Sequence, residues 1–237
     1  PSHFLTGEEL SAPQFESLLD RAAELKRGRD EGVGGSSLGG RTVALYFERP
    51  STRTRVSFQD GVAELGGHPL ALRADELQLG RGESTGDTAK VLSRYVHAIV
   101  IRAGAHETVA ELAAAAEVPV VNGLTPLHHP CQALADLLTL RERFGGLDGV
   151  SVAYVGDGNN VARSLAILGR IAGVEVRLAT PEGYELEPGL AALETHDPRE
   201  AAEGADALYT DVWVSMGDEA EEGRRRAALA PYQLNGE

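Results

Sequence analysis

Ser51-Thr52-Arg53-Thr54-Arg55 puts three hydroxyls and two guanidiniums side by side, directly after Glu48-Arg49-Pro50. The segment before them, Thr42-Val43-Ala44-Leu45-Tyr46-Phe47, is apolar, β-branched and aromatic, which predicts a buried strand. Pro50 cannot donate to a strand ladder and ends it. Phe58, Val62 and Leu65 then recur at helical spacing and stop at Gly66-Gly67, so a helix follows. The first amides of a helix lack internal partners, and its dipole favours negative charge there. Hydroxyl donors and a forked guanidinium at that place make a pocket suited to a phosphate. Ser and Thr are also common N-caps, so spacing alone leaves an ordinary capped helix with solvated arginines as the alternative.

The elements that must position this pocket come from a chain of 237 residues, enough for one large or two small domains. Apolar residues make up 42% and charged residues 24%, as in ordinary globular domains. A formal charge of −14 argues against non-specific nucleic-acid binding, so any anion site must be built locally against the average field. One cysteine, Cys131, excludes an intrachain disulfide framework and suits a reducing cytoplasm. No run approaches a membrane span, and no signal-peptide pattern opens the chain.

In chain order, Thr6-Gly7-Glu8-Glu9 reads as a capping box, with Leu5 as a staple, opening an amphipathic helix through Leu25. Residues 26–40 read as a loop. After the strand, anion turn and helix come a second strand, His68-Pro69-Leu70-Ala71-Leu72, and a polar stretch, Arg73 to Asp87, that reads as a surface loop carrying Gln78. A helix over 85–95 leads to the strand Ala98-Ile99-Val100-Ile101, which delivers Arg102 at its end. A helix over 107–117, a strand over 118–121 and a loop from Asn122-Gly123 to His128-His129-Pro130 follow. This alternation predicts a parallel α/β sheet.

Cys131 to Phe144 reads as a helix joining two domains, 1–130 and 131–237. The second domain is expected to hold strands over 150–155, 174–179 and 207–214, with helices after Asn160, over 198–203 and over 221–229. The sequence stops in Tyr232-Gln233-Leu234-Asn235, and three strands are few for an open sheet, so a further C-terminal part of this lobe is expected. Gly156-x-Gly158 after a strand invites a dinucleotide reading. Val161 occupies the third glycine position, and Ala179-Thr180-Pro181 offers no acid for a ribose, so the better reading places Asn159 and Asn160 at a helix N-terminus.

Together these segments resemble the aspartate/ornithine carbamoyltransferase family. The resemblance rests on Phe47 to Arg55, on His129-Pro130-Cys131-Gln132, on Gly156-Asp157-Gly158-Asn159-Asn160, and on Asp211-Val212-Trp213-Val214-Ser215-Met216-Gly217. The last two are similar to the ornithine branch. The resemblance covers the whole sequence, although family members extend further, through a His-Cys-Leu-Pro segment and a final helix. It implies two α/β lobes, transfer of a carbamoyl group from carbamoyl phosphate to the side-chain amine of L-ornithine, and release of L-citrulline and phosphate in arginine biosynthesis. It implies a cytoplasmic homotrimer, or a multiple of trimers, with no metal and no organic cofactor.

By the same resemblance, Ser51, Thr52, Arg53 and Thr54 hold the phosphate, Arg102 bridges phosphate and carbonyl oxygen, and His129 and Gln132 bind the carbamoyl group. Gln78 is the family's contact from across a subunit boundary. Asn160, Asp211, Ser215 and Met216 bind ornithine. Arg102, His129 and Thr54 would stabilise the charge that develops on the carbonyl oxygen. His128 reads as an ordinary loop residue and Cys131 as a packed side chain. The alternatives are a carbamoyltransferase for another amine acceptor, and a binding protein that keeps the phosphate pocket without turnover.

Overall fold

The computed structural model describes residues 2–33, 35–73, 82–214 and 219–235. The chain divides into two compact units, Pro1–Glu9 with Glu16–Cys131 and Leu10–Phe15 with Gln132–Glu237. Both are α/β, each built on a four-stranded sheet in which every described pairing is parallel.

The first unit holds most of α1 (Ala12–Asp30), then β1 (Thr42–Phe47), α2 (Thr52–Glu64), β2 (His68–Arg73), α3 (Thr85–Ser93), β3 (Ala98–Arg102), α4 (His106–Ala115) and β4 (Val120–Leu124), with strand order β2-β1-β3-β4. Side chains alternate across a strand, and here both faces are covered. Ala44, Tyr46, Ile99 and Ile101 pack with Ala89, Val109 and Leu112, while Val43, Leu45, Phe47 and Val100 pack with Val62 and Phe58. A strand buried on both faces has to be apolar throughout, which is why β1 and β3 read as continuous apolar runs.

Two expectations for this unit are corrected. The first helix begins at Ala12, not at Thr6, and runs on to Asp30 through residues expected to be loop. Its capping pair is Ser11 and Gln14, the Gln14 amide oxygen accepting from the Ser11 N–H at 2.9 Å. Glu9 instead closes a tight turn, accepting from the N–H groups of Leu5, Thr6 and Gly7. The fourth strand also runs past Val121. Asn122 and Gly123 belong to it, and the register against β3 shifts between Ile101 and Arg102. The Asn122 side chain donates to the Leu5 carbonyl at 2.8 Å, which lets a buried polar residue sit inside the strand.

The second unit runs α5 (Pro130–Phe144), β5 (Ser151–Val155), α6 (Asn160–Ala172), β6 (Glu175–Ala179), β7 (Leu193–Thr195), α7 (Pro198–Ala202), β8 (Ala207–Tyr209) and α8 (Glu222–Leu229), in the order β7-β6-β5-β8. The sheet therefore has four described strands rather than three. Strand β8 ends at Tyr209, five residues short of Val214, so Asp211 lies in the connection beyond the sheet. Gly169 lets α6 lie close on β6, since a Cβ there would press on the Val176 side chain. Gly158 accepts no side chain for a different reason: a Cβ would overlap the Tyr184 carbonyl oxygen, to which the Gly158 N–H donates at 2.9 Å. This glycine is explained by chain-on-chain packing.

The edge pairing of β5 with β8 is clipped at its start by Asp206, whose Oδ2 accepts from the Ser151 N–H at 2.8 Å and from the Ser151 hydroxyl at 2.9 Å. These bonds favour the charged carboxylate and hold its pKa below the usual range, the backbone bond contributing most. A carboxylate depressed on folding adds stability above its unfolded value of about 4, and that stability is lost as pH falls through the folded value. Asp206→Asn is therefore expected to be less stable than the parent at pH 7, with the gap closing as pH falls from about 4 towards 2. Urea unfolding midpoints across that range test this, and a gap that stays constant would sink it.

Candidate active site

Each unit carries a group of the expected residues at the same place in its sheet. In a parallel sheet, ligands bind outside the carboxyl ends of strands where the strand order reverses. In the first unit that point lies between β1 and β3, and Phe47 at the end of β1 is paired in register with Arg102 at the end of β3.

Ser51, Thr52, Arg53 and Thr54 open α2 at that point. Ser51 stands at the N-cap position in extended conformation, but its side chain makes no capping hydrogen bond. The hydroxyl is engaged elsewhere: Arg102 Nη1 donates to Ser51 Oγ at 3.1 Å and to Thr54 Oγ1 at 2.9 Å. The plain capping alternative is thereby replaced by a guanidinium-bound hydroxyl pair. Because both hydroxyls accept from Arg102, each keeps its own O–H for donation. The Nε and Nη2 donors of Arg102 have no hydrogen-bond partner among the described residues. Partial burial, with the nearby Arg53 charge, lowers the Arg102 pKa, and an anion bound here would relieve both effects. Ser51 and Thr52 also line a 660 Å³ cleft bordered by Arg49, Arg55 and Arg73.

Glu48, which sequence reasoning quoted but gave no role, ties the two strand ends together. Its N–H donates to the Arg102 carbonyl at 3.0 Å and its Oε2 accepts from the Gly104 N–H at 2.6 Å. Burial, helped by Glu48, pushes the Tyr46 hydroxyl up to about 12, so it stays protonated. His129 is half-buried and immediately precedes α5. His128, expected to be an ordinary loop residue, is buried, its ring 4.8 Å from that of His106. Burial pushes the Cys131 thiol up to about 12, which keeps it from nucleophilic work near neutral pH.

In the second unit the order reverses between β5 and β8. Gly156 to Asn160 leave β5 there, and Thr210 and Asp211 leave β8. Asn159 spans the two: its Oδ1 accepts from the N–H groups of Val161 and Ala162 at 2.9 and 3.1 Å, and its Nδ2 donates to Asp211 Oδ2 at 2.9 Å. Asn159, given no substrate role from sequence, is thus the helix cap that orients Asp211. Asn160 is half-buried in the first position of α6. Asp157 pairs with Arg225, whose Nε donates to the Trp213 carbonyl at 2.7 Å, fixing the chain just after Asp211. Gln132, in the first turn of α5, donates to Asp136, which also accepts from Tyr209. Asp136 was missed, although its i+4 spacing from Gln132 was there to be read.

Gln78, Ser215 and Met216 lie outside the described residues. Among the described residues no group of His, Cys, Asp and Glu is arranged to hold a metal ion, and no helix is long and apolar enough to cross a membrane.

Comparison with known proteins matches each part of the chain to a family domain. Residues 2–142 match the family model for the aspartate/ornithine carbamoyltransferase carbamoyl-P binding domain, and residues 148–237 match the Asp/Orn binding domain. The ornithine carbamoyltransferase of Acidothermus cellulolyticus is 51% identical over 98% of this chain and 78% of its own length. That of Bacillus subtilis is 51% identical over 98% of this chain and 75% of its own. Among solved structures, the ornithine carbamoyltransferase from Pyrococcus furiosus superposes with a TM-score of 0.93 at 47% identity, covering 99% of this chain and 79% of that one. The Thermus thermophilus enzyme gives 0.91 at 46% identity, covering 100% and 80%. With both domain models matched in order and relatives near half identical along almost its whole length, the chain belongs to the aspartate/ornithine carbamoyltransferase family.

Proposed function

We propose that this chain transfers the carbamoyl group of carbamoyl phosphate to the side-chain amine of L-ornithine, giving L-citrulline and phosphate. The observation that carries the reading is the hold of Arg102 on Ser51 and Thr54 at the strand-order reversal of the first sheet. The first-turn amides of α2, the two hydroxyl protons and the Arg53 guanidinium would bind the phosphate. Arg102 would use its remaining donors for the bridging side of carbamoyl phosphate, with His129 and Gln132 at the carbamoyl group. Asn160 and Asp211 would hold the amino-acid head group, Asp211 as the carboxylate that meets the α-ammonium. Thr52, with its hydroxyl at the phosphate, and Gln78, Ser215 and Met216 complete the proposed set.

The chemistry follows from these roles. An alkyl amine with a pKa near 10.4 is mostly protonated at pH 7, and freeing its lone pair costs about 4–5 kcal/mol. Once free, it attacks the carbamoyl carbon and the carbonyl oxygen takes on negative charge. Arg102, His129 and Thr54 would stabilise that oxygen, and such contacts act more strongly in the transition state than on the neutral carbonyl. Collapse of the intermediate expels phosphate into the pocket that already held it.

Carbamoyl transfer by the purified chain, followed as phosphate release with ornithine, putrescine, aspartate or acylated ornithines and checked as citrulline for ornithine, tests both the activity and the acceptor. Ornithine is expected to be preferred, and preference for another amine would move the assignment within the family. Arg102→Met is expected to lower kcat/KM by at least about 10²–10³-fold, and a loss under tenfold would remove Arg102 from the proposed chemistry. Inorganic phosphate is expected to raise the melting temperature, and Arg53→Ala to abolish most of that rise; an equal rise in the variant would sink the phosphate role of Arg53. We also propose a cytoplasmic homotrimer by family analogy. Light scattering should then give about three times the 25.1 kDa chain mass, and a monomer mass would refute the trimer.

A further inference from the structure

Gln132 and Asp136 stand one turn apart on α5, and Gln132 Nε2 donates to Asp136 Oδ1 at 3.0 Å. The other carboxylate oxygen, Oδ2, accepts from the Tyr209 hydroxyl at 3.0 Å. An ionised carboxylate only accepts, so it can engage only the NH₂ end of an amide. With that end held, the Gln132 Oε1 is the end left for a ligand. The carbamoyl group differs from other acyl groups in carrying an –NH₂, which needs an acceptor. An amide turned the other way would set donor against donor.

We propose that Asp136 is a positioning residue for carbamoyl transfer: it fixes the Gln132 side-chain amide so that Oε1 accepts from the –NH₂ of carbamoyl phosphate. This deepens the function proposed above and rests on the placing of Gln132 at the carbamoyl group. An asparagine at 136 could offer either end of its own amide and would leave Gln132 free to turn, whereas a carboxylate removes the choice. The rival explanation is that Asp136 merely ties α5 to the sheet through Tyr209. The two roles use different carboxylate oxygens, so they can be separated.

The test is a double-mutant cycle on the full chain, followed by citrulline formation. Asp136→Ala is expected to raise the KM for carbamoyl phosphate about tenfold, as expected for one lost hydrogen bond. Acetyl phosphate, with –CH₃ in place of –NH₂, should inhibit it as well as it inhibits the parent. Asp136→Ala added to Gln132→Ala should cost nothing further, because the first residue acts only through the second. Tyr209→Phe should lower the melting temperature while leaving that KM unchanged. Should Asp136→Ala fail to fold, Asp136→Asn keeps the shape and should give a smaller rise in KM, again without weakening acetyl phosphate inhibition. Fully additive losses, an equal weakening of acetyl phosphate, or an Asn variant identical to the parent would each overturn the positioning role. If Gln132→Ala alone leaves the KM unchanged, the placing of Gln132 is wrong and the positioning role falls with it.

Discussion

The first unit depends on one contact, the guanidinium of Arg102 held against the hydroxyls of Ser51 and Thr54. It joins the end of β3 to the start of α2, and it takes Ser51 away from the work its position would ordinarily give it. A serine at an N-cap stabilises its helix by about 1 kcal/mol when its oxygen accepts from the first turn. A hydrogen bond to a charged group contributes about 1.5–3 kcal/mol, so the exchange favours the arginine. Its consequence is a helix start whose amides lack the side-chain acceptor that Ser51 would supply, beside a partly desolvated cation. Such a place has unmet demand for negative charge. On a chain of net charge −14, that demand has to be met by local donors rather than by the general field.

The second unit follows the same topological rule with opposite polarity. Its strand-order reversal carries a carboxylate, Asp211, oriented by the amide that also caps α6. Around it, Asp157 is taken by Arg225, and Asp136 by Gln132 and Tyr209. Three acidic side chains in one region would repel one another if left bare. Here each is given a donor, which fixes its direction and limits that repulsion.

What could be read from the sequence, and what could not, divides along physical lines. β1, β3 and β5 are buried on both faces, so composition alone marked them. The role of Arg102 came from the family resemblance, supported by its place at the carboxyl end of such a run, where ligands bind. The misplaced helix start came from Thr6-Gly7-Glu8-Glu9 having the letters of a capping box, whereas Glu9 serves a turn. The missed β7 is three residues long with an exposed glutamate at its centre, too short for any period to show. Strand β8 was drawn too long because Val212 and Trp213 are apolar, yet Val212 is exposed beyond the sheet. The hold of Asn159 on Asp211 and the part of Asp136 were not foreseen, because the partners Asp211 and Tyr209 lie 52 and 73 residues away.

In the proposed reaction the ammonium proton of the acceptor must go somewhere, and the carboxylates of the second unit are poor recipients. An ordinary carboxylate has a pKa near 3.9; burial raises that of Asp136, but both of its oxygens already accept hydrogen bonds, from Gln132 and Tyr209. A phosphate monoester has a second pKa near 6, about two units nearer to that of an alkyl amine, and phosphate released from its ester is no weaker a base. Two units correspond to roughly 3 kcal/mol in the proton-transfer equilibrium. The leaving group is therefore the better base as it departs. Its grip by Arg53 and the hydroxyls must hold it near the amine without drawing off all of its negative charge. Hydroxyl donors suit that balance, because a neutral O–H orients a phosphate oxygen while lowering its basicity less than a second full cation would.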